Sequence, residues 1–252
     1  FVLKKKIFLF EPNSVLGRSN RIALKFSTKI ICYNEDIKNF PIKYNTKKIL
    51  LEPILKKELY NLEKNSINLK KKIIKILIIG GSQGASFFDE KVTELIIKIS
   101  KKLKIEVIQQ ISKKNNLASI KNKYDESGVK YKFIEFTYDS NELYKGVNLA
   151  ITRGGASTLS ELSFLNIPFI SIPLPSAKDN HQFYNSEYYY KKNCCWLIRQ
   201  NKFEIDKDST MIFEILNNYQ NYNDKIKNLE KMNKKNTWNY INNKIIEIID
   251  EN

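Results

Sequence analysis

The chain is 252 residues long, with 42% hydrophobic and 28% charged residues. That allows one large or two modest domains with a real core, and it excludes wholesale disorder as well as collagen-like, coiled-coil and disulfide-scaffold classes. Lys plus Arg is 43 against 27 for Asp plus Glu, a formal net charge of +16. Such a charge reads as attraction to a polyanion, either nucleic acid or an anionic membrane face. It also reads as codon bias, because Lys, Ile and Asn share AT-rich codons and the chain is crowded with all three. Only Arg18, Arg21, Arg153 and Arg199 are arginines, which argues against a nucleic-acid partner, since those sites lean on the guanidinium fork.

In chain order, a strand is expected over 7–10, ending in the turn signature Glu11-Pro12-Asn13. A helix over 19–26, a strand over 29–33 and a short strand over 49–51 follow. Residues 64–72 are polar and charged and read as a linker. Residues 73–79 form a continuous apolar run, the pattern of a strand buried on both faces. After Gly80-Gly81-Ser82-Gln83-Gly84, the residues Phe88, Val92, Leu95, Ile96, Ile99 and Leu103 recur at helical spacing. Strands over 105–109, 131–136, 148–152, 169–172 and 195–198 then alternate with helices over 113–125, 141–145, 157–165 and 180–192. Strict alternation implies a parallel, doubly wound α/β sheet. The tail from residue 209 is helical, and Ile241, Ile245, Ile248 and Ile249 give its last segment one apolar face.

No apolar run approaches the roughly 20 residues that span a bilayer. Cys32, Cys194 and Cys195 are odd in number, two are adjacent, and no CxxC occurs, which fits a reducing compartment and argues against a zinc site. The first ten residues lack the apolar core and cleavage site of a signal peptide. The chain does not open on Met, so it is expected to begin inside a longer protein.

Three segments carry chemistry. Gly80-Gly81-Ser82-Gln83-Gly84-Ala85 lies between a strand and a helix. It is either a structural turn or a phosphate site at a helix N-terminus. It has neither the Lys of a P-loop nor GxGxxG spacing. Arg153-Gly154-Gly155-Ala156-Ser157-Thr158-Leu159-Ser160-Glu161 is a second such start. Ser157 is expected to cap its helix while Thr158 and nearby N–H groups face an anion. Glu161, one turn in, either accepts two hydrogen bonds from a ribose diol or pairs with the helix dipole. The third segment runs from Pro173 through Asp179-Asn180-His181-Gln182 to Asn185, on a loop leaving the carboxyl end of a strand. His181, the only histidine, is a general base, a pocket wall or a helix cap. Together these favour a nucleotide-sugar over a dinucleotide.

The order and spacing of these motifs resemble the MurG family of N-acetylglucosaminyltransferases, and Glu11-Pro12-Asn13 through Arg21 looks like that family's segment before the linker. The resemblance implies a GT-B fold of two Rossmann-like domains. It divides this chain into the second part of the N-domain (1–63), the linker (64–72), the donor-binding C-domain (73–235) and a C-terminal helix (236–252). That helix docks either on its own domain or back on the first. The implied activity is inverting transfer of GlcNAc from UDP-GlcNAc to the MurNAc C4 hydroxyl of undecaprenyl-pyrophosphoryl-MurNAc-pentapeptide, without a metal or other cofactor. The implied location is the cytoplasmic face of the plasma membrane, with an anionic membrane surface and lipid I as partners through the missing part of the N-domain. A split two-chain transferase or a non-catalytic nucleotide-sugar module are the alternatives. The family's glycine-rich N-terminal loop falls outside this chain, so the chain alone is expected to bind UDP without turnover.

By the same resemblance Asn13 and Ser82 contact the donor, and the backbone of Thr137 reads uracil. Ala156, Ser157, Thr158, Leu159, Ser160 and Glu161 hold diphosphate and ribose, and Gln182 the GlcNAc hydroxyls. Gly81, Gln83, Arg153, Gly155, Asn185 and Lys56 flank them. Where the family has Asn-Pro-Val-Arg, this chain has Glu52-Pro53-Ile54-Leu55, with Lys56 next to the departure. An ammonium does not reproduce a bidentate fork.

Overall fold

The computed structural model describes residues 5–65, 73–81, 85–111, 117–134 and 139–251. Two parallel sheets organise it. The smaller has the order β1-β2-β3, built from β1 (Phe8–Glu11), β2 (Lys29–Cys32) and β3 (Lys48–Leu50), with helix α1 (Arg18–Ala23) between the first two. Alternation sorts β2 onto two faces. Ile30 and Cys32 join Leu16, Leu24 and Ile37 in one core cluster, while Ile31 joins Leu51 in another. Two short 3₁₀ segments, Ile42–Lys47 and Lys57–Asn61, were not anticipated from periodicity. They are too short to show a helical repeat.

The larger sheet contains β4 (Ile74–Ile79), β5 (Ile105–Gln110), β6 (Lys130–Ile134), β7 (Leu149–Thr152), β8 (Phe169–Ser171) and β9 (Cys195–Leu197) in the order β6-β5-β4-β7-β8-β9, all parallel. The expected doubly wound α/β architecture is the one observed. β4 pairs on both sides, and its side chains feed two cores: Ile74, Ile76 and Ile78 on one face, Leu77 and Ile79 on the other. Chain order runs outward from β4 to β6, then returns to β7 and runs outward again. The switch point therefore lies between β4 and β7, where open α/β sheets bind ligands.

Helix α2 (Ala85–Phe87) continues through a π segment (Phe88–Val92) into α3 (Thr93–Ser100). α4 (Leu117–Ser127) and α5 (Ser140–Tyr144) follow β5 and β6, and α6 (Ala156–Phe164) follows β7. α7 (His181–Lys191) precedes β9, and α8 (Ile205–Asn217), α9 (Tyr219–Met232) and α10 (Trp238–Asp250) complete the chain. The apolar face of α10 does not rest on the larger sheet. Ile241 and Ile248 pack with Ile31 and Leu51 of the smaller unit. The crossing at 233–237 is tied on both sides: Asn233 Nδ2 donates to Ser163 O at 3.1 Å, and Asn236 Nδ2 donates to Pro53 O at 3.0 Å. The start of the predicted helix over 113–125, the end of the strand over 131–136 and most of the linker lie outside the described residues.

Candidate functional site

Glycine follows each of the two strands at the switch point, for different reasons. Gly81 takes φ +66°, a backbone region that a side chain would strain. Gly154 answers a packing demand. A Cβ there would lie 2.1 Å from Gln182 O and 2.6 Å from Ser186 Oγ, so only glycine lets α7 approach the turn after β7. Gly155 is the N-cap of α6, with φ −69° and ψ 128° and no side-chain cap bond. The expectation that Ser157 caps this helix is therefore corrected: Ser157 sits inside the first turn and is exposed. Leu159 N donates to Gly155 O at 3.0 Å. Among the described residues, nothing accepts from the N–H groups of Ala156, Ser157 and Thr158. A helix start with free amides is a natural place for an anion.

That helix start opens on a cleft of about 440 Å³ between the two units. Phe10, Pro12, Tyr33, Ile54 and Lys56 line it from the smaller unit. Ile79, Gln110, Ile134, Tyr144, Ser157, Thr158, Ser160 and Glu161 line it from the larger one. Glu161 is not solitary. Its Oε2 accepts from Tyr144 Oη at 2.5 Å, and burial followed by the neighbouring Glu161 charge pushes the Tyr144 phenol pKa well above its ordinary value. Tyr144 escaped the sequence reading because it ends a short helix and belongs to no motif.

The remaining expected residues separate into groups. Leu159 is fully buried in the core, which leaves only its backbone to meet a ligand. Ser160 is buried, with Oγ 3.4 Å from Tyr189 Oη, and it reaches the cleft wall. Arg153 points away from the cleft: its Nη1 donates to Ile172 O at 3.0 Å and to Gln200 Oε1 at 2.7 Å. Its guanidinium lies 4.6 Å from the Phe88 ring centroid, and burial lowers its pKa to about 10. It thus ties the turn after β7 to Phe88, Ile172 and Gln200. Leu55, at the position of the family's arginine, is buried in the core and presents an apolar side chain to the cleft wall, and Lys56 beside it is exposed along the same cleft. His181 holds Lys178 O through Nδ1 at 2.8 Å, right after Asp179 (φ 51°) and Asn180 (φ 54°), and does not line the cleft. Ser82, Gln83 and Thr137 lie outside the described residues.

Asn13, Asn185 and Gln182 cluster around the turn after β7, where hydrogen bonds join the smaller unit to the larger. Asn185 Oδ1 accepts from Ser14 N at 2.7 Å, and its Nδ2 donates to Asn13 Oδ1 and Gly154 O, both at 3.0 Å. Asn13 Nδ2 donates to Glu11 Oε1 at 3.0 Å, and Glu11 Oε2 accepts from Gly17 N at 2.7 Å. This buried carboxylate shapes the loop that carries Asn13. Gln182 Oε1 accepts from Gly154 N at 3.2 Å and from Leu174 N at 3.0 Å. The acceptor half of its amide is thus engaged in holding the turn, which sequence reasoning did not foresee. Between the two units Arg18 Nε also donates to Asp179 Oδ2 at 3.1 Å, and this bond holds the Asp179 carboxyl below its ordinary pKa.

The model of the glycosyltransferase family 28 C-terminal domain matches residues 75–241. A UDP-N-acetylglucosamine--N-acetylmuramyl-(pentapeptide) pyrophosphoryl-undecaprenol N-acetylglucosamine transferase of Pelagibacter ubique is 43% identical, over 100% of this chain and 70% of its own length. A relative of the same name from Rickettsia bellii is 35% identical over 92% of this chain and 66% of its own length. The chain thus spans about two thirds of the length of such relatives. Among solved structures, MurG of Acinetobacter baumannii superposes with a TM-score of 0.75 at 19% identity, over 100% of this chain and 69% of that one. The larger sheet with its flanking helices therefore matches the C-terminal domain of the GT-B fold that the resemblance implied, and the chain belongs to the MurG family within glycosyltransferase family 28.

Proposed function

We propose that the cleft binds UDP-GlcNAc and that the chain serves in inverting transfer of GlcNAc to the MurNAc C4 hydroxyl of undecaprenyl-pyrophosphoryl-MurNAc-pentapeptide. The observation that carries this reading is the uncapped first turn of α6 facing the cleft, with Glu161 one turn further in. The diphosphate sits on the amides of Ala156, Ser157 and Thr158, where the helix dipole favours negative charge. The same amides stabilise the charge that grows on departing UDP as the acceptor oxygen attacks the anomeric carbon. Glu161 accepts from the ribose diol. Gln182 keeps its Nε2 donors for a sugar hydroxyl while its Oε1 holds the turn. Asn13 presents its amide beside Asn185 at the sugar end.

No metal takes part in this proposal, because Glu161 is the single carboxylate among the described residues lining the cleft and hard divalent ions want several oxygen ligands. The acceptor lipid places the reaction at the cytoplasmic face of the plasma membrane, with the chain peripheral to it. No helix among the described residues is long and apolar enough to cross a membrane.

The test is calorimetric titration of UDP into the chain and into Glu161→Ala. Losing charge-assisted hydrogen bonds of about 1.5–3 kcal/mol each should weaken UDP roughly tenfold or more. An unchanged affinity in the variant would remove Glu161 from the ribose site, and no binding to either protein would remove UDP from the cleft.

A further inference from the structure

Glu161 lies on the cleft wall, partly exposed, on a helix whose next residues are buried. A free glutamate there has three side-chain torsions and would sample several directions. Tyr144 removes that freedom. It stands at the end of α5, 5% exposed, with its ring in the same core as Leu159 and Leu162 of α6. Its hydroxyl reaches Glu161 Oε2 at 2.5 Å, the length of a charge-assisted O–H···O⁻ bond. Burial and the adjacent negative charge both keep that phenol protonated, so it donates and never competes as an anion. With Oε2 held, Oε1 and the second lone pair of Oε2 are left for a ligand on the cleft side.

We infer that Tyr144 is a positioning residue for nucleotide recognition: its hydroxyl fixes the Glu161 carboxylate in the orientation that accepts the ribose hydroxyls, and so sets the preference for a ribonucleotide over a 2′-deoxyribonucleotide. The inference rests on the proposed ribose role of Glu161. Tyr144 touches no ligand in this account. Its effect passes through Glu161, so it appears only where a ribose hydroxyl is present to be read.

The experiment measures the affinities of UDP and 2′-deoxy-UDP, by calorimetry, for the chain, for Tyr144→Phe, for Glu161→Ala and for the double variant. Comparing two ligands on one protein cancels any general loss of fold, and phenylalanine keeps the buried ring. The unaltered chain should prefer UDP by about tenfold, the scale of one charge-assisted hydrogen bond. Tyr144→Phe should cut that preference to about threefold or less with 2′-deoxy-UDP affinity unchanged. Glu161→Ala should abolish the preference, and the double variant should lose nothing more. If Glu161→Ala removes the preference and Tyr144→Phe leaves it whole, the positioning role is overturned while the ribose reading stands. If the unaltered chain shows no preference, the ribose reading falls and takes this inference with it.

Discussion

At the scale of single residues, the site separates groups that meet a ligand from groups that hold those groups still. Gln182 does both. Its Oε1 accepts from the amides of Gly154 and Leu174, two donors in the separate loops that follow β7 and β8. Gln182→Ala would strand both, and a stranded amide costs about 1–3 kcal/mol. The variant is therefore expected to unfold at a lower urea concentration than the unaltered chain, and to lose UDP affinity along with sugar discrimination. Gln182→Glu keeps an acceptor for the two amides and removes the Nε2 donors, so its urea midpoint should stay close to that of the unaltered chain. Equal midpoints for the alanine variant and the unaltered chain would show that the two hydrogen bonds contribute nothing. Serine and glycine at the start of α6 teach a related lesson. Ser157 looks like a cap in the sequence, but Gly155 occupies the N-cap. An empty cap costs helix stability and leaves the amides for something else.

At the scale of elements, legibility followed the strength of local patterning. β4 was legible because a strand buried on both faces must be apolar throughout, and Ile74–Ile79 nearly is. The glycine-rich turns after β4 and β7 were legible because close approach and left-handed backbone leave few residue choices. The π segment Phe88–Val92 was not, since one widened turn barely disturbs a helical repeat. The tie from Asn185 to Ser14 spans 171 positions and leaves no local trace. The partner of α10 was equally hidden: its apolar stripe demands burial without saying against what. The structure answers with Ile31 and Leu51, so α10 fastens the end of the chain to the smaller sheet. Ile241 is 1% exposed in that contact. Ile241→Ala should destabilise the chain by about 2–5 kcal/mol through lost burial and a residual cavity. Far-UV circular dichroism during a urea titration checks this, and a midpoint shift within error would mean that α10 is not held there.

At the scale of the whole molecule, the two units meet through a few specific ties with the cleft among them. Asn185 joins Gly154 to Asn13 and Ser14, Arg18 pairs with Asp179, and Asn236 links Pro53 to Tyr60 where the chain crosses back. A ligand seated in the cleft touches both units, so its binding energy adds to the stability of the pair. At a UDP concentration of 100 times Kd the gain is about 2.7 kcal/mol. For a chain of this size that raises the melting midpoint by about 5–10 °C. The cleft also decides how the rise depends on metal. Its proposed anion site is built from helix amides, and its single described carboxylate is already held by Tyr144. A magnesium ion would find few oxygen ligands there apart from the phosphates themselves. The UDP-induced rise, followed by differential scanning calorimetry, should therefore be the same in EDTA as in millimolar magnesium. A rise that appears only with magnesium would mean that the diphosphate is held through a cation, and the amides of α6 would no longer account for its place.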